Sequence, residues 1–447
     1  MPTHETAGPA RELLSPVWAR YTDIVAEYAS GCYIYAENGD RYLDFSSGIG
    51  VTSTGHCHPR VVAAAQEQVA RLIHGQANIV YQKPMLRLAE QLADVVPAGL
   101  DRFFFSNSGA EAIEAAVKLA RYATGRSAII TFEGGFHGRT IGTLSLTSSK
   151  AKYKAHMGPY MAGVSTAPYP YCYRCQARTP NSRALAGAPI HDGPRQQDGC
   201  CQAGVPALHR LLATQVYPED VAAVLVEPVL GEGGYVVPPP RFLRDLRQFC
   251  DQFGMVLIAD EVQTGFGRTG SMFAVEQCGV TPDIMVMAKG LASGFPLSGI
   301  AARPALMDRW APGTHGGTFG GNAVACAAAC ATIDVLRDED LPGNARRQGE
   351  MLLAGLRILQ ERYPFMGDVR GLGLMVAVEM TAPDGAPDAA RAGAVLRACL
   401  ERGLILLSCG AWDQVVRFIP PLIVTTEQIE DALRIVADAL DAVSAVA

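Results

Sequence analysis

Two short apolar runs end in groups able to do chemistry. Val256–Ala259 stops at Asp260 and Glu261, and Ile284–Ala288 stops at Lys289. Bare β-branched and apolar runs with turn residues behind them suit strands of a buried parallel sheet. In open α/β sheets, ligands sit beyond the carboxyl ends of the strands. An amine and a carboxylate brought together there suit one cofactor chemistry. A lysine forms a Schiff base with an aldehyde such as pyridoxal phosphate, and a buried acid keeps the pyridine nitrogen of that cofactor protonated. Taken alone, the two residues read better as an ordinary strand-end acid and a surface lysine.

Other stretches add to the pair. Ser108 with Glu111 fits a capping box, and Ile113, Ala116, Val117 and Ala120 mark one apolar helix face behind it. A small-residue loop opening such a helix is an anion site, so Ser108, Gly109 and Ala110 can cradle a phosphate. Phe136 and His137 place flat rings at the end of the run Ala128–Phe132, and Arg139 beyond them can clamp a carboxylate. Glu227 ends another buried run, Val221–Val226. Thr318 sits in the glycine-rich loop HGGTFGGN, and Arg417 lies in the strand-like Val415–Ile419.

Three further patterns raise other chemistries. Gly265–Gly270 matches the letters GxGxxG of a dinucleotide fingerprint, but DEVQT separates it from its strand and no helix opens at Gly270. Cys172, Cys175, Cys200 and Cys201 lie in a proline- and glycine-rich segment, 169–204, read as an inserted loop. Four thiols can bind zinc or an iron–sulfur cluster, although adjacent cysteines are awkward in a closed tetrahedral site. His56 and His58 flank Cys57 with no further ligand nearby, which favours packing over metal binding.

The elements that must position these groups follow from pattern. Cys32–Ala36 and Tyr42–Phe45 form a hairpin around Asn38-Gly39. Helices are expected from Pro59, from Pro84, over Arg241–Phe253 and over Asn322–Leu336. Phe295–Ala301 reads as an antiparallel or edge strand. Beyond Asp338, helices over Ala345–Tyr363 and Ala389–Arg402, strand-like runs at Val369–Met380, Leu404–Leu407 and Val415–Ile419, and a last helix from Thr426 make a smaller α+β unit. The expected division is 1–58 as an N-terminal arm and part of the small unit, 59–337 as the large unit, and 338–447 as the C-terminal small unit.

The 447 residues are 49% hydrophobic and 18% charged, which excludes a disordered chain. A net charge of −6 gives no footprint for nucleic acid or an anionic membrane. The first twenty residues lack the pattern of a secretory signal, and no apolar run is long enough to span a bilayer. The expectation is a soluble, cytoplasmic protein with reduced cysteines.

The chain resembles the class III (ω-amino) pyridoxal-phosphate-dependent aminotransferases. The resemblance covers all but the first twenty residues and the 172–201 insertion. It is carried by NSGAEA (107–112), FHGRT (136–140), VEPVLGEGG (226–234), LIADEVQTGFGRTG (257–270), AKG around Lys289 and GGTFGGN (316–322). Within the family it is most similar to 4-aminobutyrate aminotransferases. The resemblance implies a fold-type I α/β architecture. Lys289 would carry the cofactor and move the substrate proton. Asp260 would hold the pyridine nitrogen, Gln263 the phenolic oxygen, and Phe136 and Val262 the two ring faces. His137 and Glu232 would also line the cofactor. Gly109, Ala110 and Thr318 from a second subunit would bind phosphate, which implies a homodimer or a dimer of dimers. Arg417 would hold the α-carboxylate of glutamate and pair with Glu227 otherwise. Arg139 would take the distal carboxylate, and Ile49 would line the pocket. Position 110 departs from relatives with a hydroxyl there, so its contact would rest on backbone N–H. The implied reaction is 4-aminobutyrate with 2-oxoglutarate, giving succinate semialdehyde and glutamate. Rival donors are N-acetylornithine, ornithine and 5-aminovalerate. A rival from another class is an aminomutase or amino-acid racemase.

Overall fold

The three buried runs become neighbouring parallel strands in the computed structural model, which describes residues 11–175 and 204–445. The chain opens with β1 (Ala26–Ser30), β2 (Tyr33–Ala36) and β3 (Arg41–Asp44), an antiparallel meander. The hairpin is as expected, but β1 is an addition. It is largely exposed, so no apolar alternation announced it.

The central sheet is built from β4 (Arg102–Ser106), β5 (Ala128–Phe132), β6 (Val164–Ala167), β7 (Val221–Val226), β8 (Val256–Asp260), β9 (Ile284–Met287) and β10 (Ser298–Ala302). Their order is β4-β10-β9-β8-β7-β5-β6. The run from β9 to β6 is parallel, and β10 is antiparallel to both β9 and β4. The antiparallel expectation for β10 holds, but it is an interior strand and not an edge. Its small Gly299 permits that place, because a Cβ there would meet the Phe104 carbonyl oxygen at 2.8 Å.

Both faces of this sheet are covered, which is why its strands read as unbroken apolar runs. Ile129, Leu225, Ile258 and Val286 face the helix Gly109–Thr124. Ile130, Val224 and Leu257 face the helix Phe242–Phe253. The helix Gly109–Thr124 begins at a full capping box and ends at Gly125 in the left-handed region, φ 70°. Its apolar stripe clamps it to the sheet and fixes where its N-terminus points.

The C-terminal part adds β11 (Met366–Leu372), β12 (Met375–Met380), β13 (Leu404–Ile405), β14 (Leu407–Cys409) and β15 (Val415–Phe418). The single run expected over Val369–Met380 is a hairpin turning at Gly373, φ 56°. The run Leu404–Leu407 splits between two sheets. β13 lies parallel to β3, pairing Leu404 with Leu43, whereas β14 joins β11, β12 and β15. The helices Leu341–Arg362 and Ala389–Glu401 pack on these strands, and the last helix, Thr426–Ser444, packs on those two helices. No described helix is long and apolar enough to cross a membrane.

Candidate active site

Parallel pairing of β8 with β9 sets Asp260 opposite Val286. Lys289 follows three residues on, at the same end of the sheet. Its backbone is in the left-handed region, φ 43°, a strained conformation for a lysine of the kind found at functional sites. A cavity of about 300 Å³ opens here. Ser108, Gly109, Ala110, Phe136, His137, Glu227, Glu232, Asp260, Val262, Gln263 and Lys289 all line it. Eleven residues singled out from the sequence thus meet in one place.

The electrostatics separate their roles. Burial lowers the Lys289 amine from its ordinary value, against the pull of Glu232. Asp260 is buried and held from two sides. The Val262 N–H donates to its Oδ1 at 3.1 Å, and His137 Nδ1 lies 2.8 Å from its Oδ2. The His137 ring therefore orients the carboxylate. The His137 backbone N–H donates to Thr147 Oγ1 at 2.9 Å, which anchors the loop that carries the ring.

At the helix N-terminus, Glu111 Oε2 accepts from the N–H groups of Asn107 and Ser108, at 2.9 and 2.8 Å. The Ser108 hydroxyl caps the Glu111 N–H. Ser108 is thereby engaged in the cap, and Gly109 and Ala110 present the first helical N–H groups, which have no intrahelical acceptor. A Cβ on Gly109 would meet Val262 Cγ1 at 3.2 Å, so the loop and the strand end close tightly on each other. Gln263 Oε1 is buried without a hydrogen-bond partner among the described residues, in the wall of the same cavity.

Glu227 and Glu232 behave differently from the expectation. Glu227 Oε1 accepts from the Phe136 N–H at 2.7 Å, and its Oε2 from the Gly231 N–H at 2.8 Å. Both its oxygens are engaged in bracing those two loops. Burial and the nearby Asp260 push its carboxyl up to about 7, although His137 pulls the other way. The partner of Arg417 is instead Glu232, which Arg417 Nη1 contacts directly. Burial works to raise the Glu232 pKa, but Arg417 and Lys289 outweigh it and hold the carboxylate below its usual range. The sequence VEPVLGEGG contains both acids. Only the second stands in the turn 231–234, where its carbonyl accepts from the Gly410 N–H beside β14 and β15.

Four sequence candidates lie outside the cavity lining. Arg417 is fully buried and reaches it through Glu232. Ile49 and Thr318 are exposed on this chain. Arg139 is exposed, with its guanidinium carbon 4.2 Å from the Tyr153 ring centre. Tyr153 was missed from sequence. It also meets Phe136 edge-on, with ring centres 5.9 Å apart. No spacing rule links a tyrosine in a short 3₁₀ turn to a ring so far up the chain.

Cys172 and Cys175 are described, but Cys200 and Cys201 fall outside the described residues. Among the described residues, no three His, Cys, Asp or Glu side chains cluster as metal ligands. His56 pairs with Asp44 at 2.8 Å and His58 with Glu339 at 3.2 Å. The GxGxxG look-alike is a loop whose Arg268 binds the carbonyls of Leu374 and Pro420.

A lysine and an aspartate at adjacent strand ends, below a helix N-terminus, fit the groups of pyridoxal phosphate: carbonyl, pyridine nitrogen and phosphate. With this sheet they define a fold-type I pyridoxal phosphate enzyme. Residues 14–440 match the family model described as aminotransferase class-III. The 5-aminovalerate aminotransferase DavT of Pseudomonas aeruginosa is 41% identical over 94% of this chain and 93% of its own length. The 4-aminobutyrate aminotransferase GabT of Escherichia coli is likewise 41% identical, over the same shares. A structure of ornithine aminotransferase from Toxoplasma gondii, with pyridoxal phosphate at partial occupancy in its active site, superposes with a TM-score of 0.82. It is 32% identical and covers 97% of this chain and 93% of its own. The chain belongs to the class III aminotransferase family.

Proposed function

We propose that this enzyme moves the terminal amino group of a short ω-amino acid to 2-oxoglutarate. The first donor is 4-aminobutyrate, which leaves as succinate semialdehyde while 2-oxoglutarate becomes glutamate. The observation that carries this reading is the buried Arg417–Glu232 pair beside the cavity. The donor presents an amine with no carboxylate on the same carbon, whereas glutamate brings one. An arginine masked by an acid in one half-reaction and unmasked in the other serves both substrates in one site.

Pyridoxal phosphate supplies an exchangeable carbonyl and an electron sink. Lys289 would hold its carbonyl carbon. Its amine, lowered by burial, would take and return the proton at the amine-bearing carbon of the substrate. Asp260, oriented by His137, keeps the ring nitrogen protonated. Phe136 and Val262 hold the ring, Gln263 its phenolic oxygen, and Gly109 and Ala110 its phosphate. Arg139, freely exposed and backed by Tyr153, takes the distal carboxylate, with Ile49 beside it.

The working unit in this reading is a cytoplasmic homodimer. Thr318 of a second copy completes the phosphate site, which accords with the exposure of Thr318 and Phe319 on this chain and of Ser108 in the cavity wall. A second donor, 5-aminovalerate, is favoured by the equal identity of the two bacterial relatives. Glutamate formation from 2-oxoglutarate, assayed with 4-aminobutyrate, 5-aminovalerate, ornithine and N-acetylornithine side by side, ranks the donors. Absence of glutamate with every donor sinks the reading and favours an isomerase.

A further inference from the structure

Two buried arginines outside the cavity cross between the central sheet loops and the C-terminal strands. Arg268 stands in the loop after β8. Its Nη1 donates to the Leu374 carbonyl at 3.1 Å and to the Pro420 carbonyl at 2.5 Å. The Leu374 N–H returns a bond to the Arg268 carbonyl at 3.0 Å. Pro420 lies three residues after Arg417. Arg370 reaches the opposite way, from β11. Its Nε and Nη2 both donate to the Gly234 carbonyl, at 3.0 and 2.6 Å. Gly234 lies two residues after Glu232. Each arginine therefore pins the backbone beside one member of the Arg417–Glu232 pair.

The two arginines are held differently: Arg268 by backbone carbonyls, Arg370 by two carboxylates as well as the Gly234 carbonyl. Among the described residues Arg268 has no carboxylate partner; its hydrogen bonds go to carbonyls. Burial pushes its guanidinium down to about 10. Burying a cation against carbonyls alone is a poor way to gain stability, because desolvation is costly. Arg370 is fixed by Asp368 at 2.8 Å and Glu379 at 2.7 Å. Glu379 in turn accepts from Tyr171 and Arg174, and the Tyr171 hydroxyl lies 2.9 Å from Arg370 Nη2. Tyr171 and Arg174 stand at the start of the inserted segment. The contact surface is also tight. A Cβ on Gly373 would lie 2.7 Å from the Arg268 carbonyl oxygen.

We propose that Arg268 and Arg370 are positioning residues that fix the spacing of Arg417 and Glu232, and with it the recognition of α-carboxylate substrates, with Tyr171 bracing Arg370. The inference rests on the role given above to Arg417. Misplacing a recognition group by about 1 Å costs on the order of 100-fold in rate. The loss falls on the half-reaction that uses the arginine.

The test uses holoenzyme variants Arg268→Lys, Arg370→Lys, Arg370→Met and Tyr171→Phe, each checked for far-UV circular dichroism and Tm. Both half-reactions are measured, together with 2-oxoglutarate binding to the aminated enzyme. The expected result for Arg370→Met is a loss of about 10-fold or more in 2-oxoglutarate affinity, with the ω-amine half-reaction within about threefold of wild type. The lysine variants and Tyr171→Phe shift the same ratio less. A parallel fall in both half-reactions, or an unchanged ratio, overturns the proposal. If Arg370→Met does not fold, the ratio in Tyr171→Phe and the lysine variants decides. Failure of the functional reading is seen separately, as wild-type enzyme that does not turn over with 4-aminobutyrate; the ratio is then read with whichever ω-amine reacts.

Discussion

His137 Nδ1 lies 2.8 Å from Asp260 Oδ2, and both side chains are buried. The imidazole N–H donates to the carboxylate, leaving the Val262 N–H on the other oxygen. Asp260 is thus held with its charge and direction set. Replacing His137 by Phe removes a hydrogen bond to a charged group, which is worth about 1.5–3 kcal/mol. The expected result is a kcat/KM lower by about 10- to 100-fold, with the chain still folded. Asp260→Asn is expected to lose more, about 100- to 1,000-fold, because it removes the charge that opposes the protonated ring nitrogen. Steady-state kinetics at saturating cofactor checks both.

Lys289→Ala removes the covalent anchor and the proton-transfer group together. The cofactor absorbance characteristic of a lysine Schiff base should vanish. Turnover should fall by at least about 100- to 10,000-fold, the range for loss of a positioned acid–base group. Retained Schiff-base absorbance in the purified variant would show that another amine carries the cofactor.

The paired acid and arginine give a substrate-selective expectation. Changing Arg417 alone leaves Glu232 buried without its partner, which is itself destabilising. The double variant Arg417→Met/Glu232→Gln avoids that. It should lose about 30-fold or more in kcat/KM for 2-oxoglutarate, from a lost charge-assisted contact of about 2 kcal/mol. The 4-aminobutyrate half-reaction should change by less than about threefold. Stopped-flow measurement of the two half-reactions separates these outcomes.

Glu261, next to Asp260, sets a pH dependence of stability. It accepts from the Val275 N–H at 2.9 Å and from Thr264, but burial pushes its carboxyl up from 4.5 to about 7. Below pH 4.5 the group is protonated in both states. Between pH 4.5 and about 7 the unfolded chain ionises while the folded one does not, so folding loses stability as pH rises. The loss levels off above about 7, at roughly 3 kcal/mol. Glu261→Gln should lack this component. The difference in Tm between variant and wild type should grow in the variant's favour from pH 5 to pH 8. A difference constant with pH would mean that Glu261 is ionised in the folded protein.

The central sheet was legible because β7, β8 and β9 are buried on both faces and read as bare apolar runs. Asp260 and Lys289 stood out as charges ending such runs. The helix Gly109–Thr124 was legible from its capping box. What stayed hidden depends on long-range pairing. β6 is a short strand, VSTA, with a half-exposed pattern. β10 gave its direction but not its place between β4 and β9. The choice of Glu232 over Glu227 as the partner of Arg417 depends on the turn at 228–234 and on where β15 lies. The role of Arg268 was masked by a motif whose letters suit a different fold.

The most direct measurement mixes the yellow holoenzyme with 4-aminobutyrate alone and follows the cofactor spectrum, then adds 2-oxoglutarate. The expected result is rapid conversion to the pyridoxamine form, reversed by 2-oxoglutarate with one glutamate formed per site. No conversion by 4-aminobutyrate, alongside rapid conversion by another amine, would contradict the proposed donor. No reversal by 2-oxoglutarate would contradict the role given to Arg417 and Glu232.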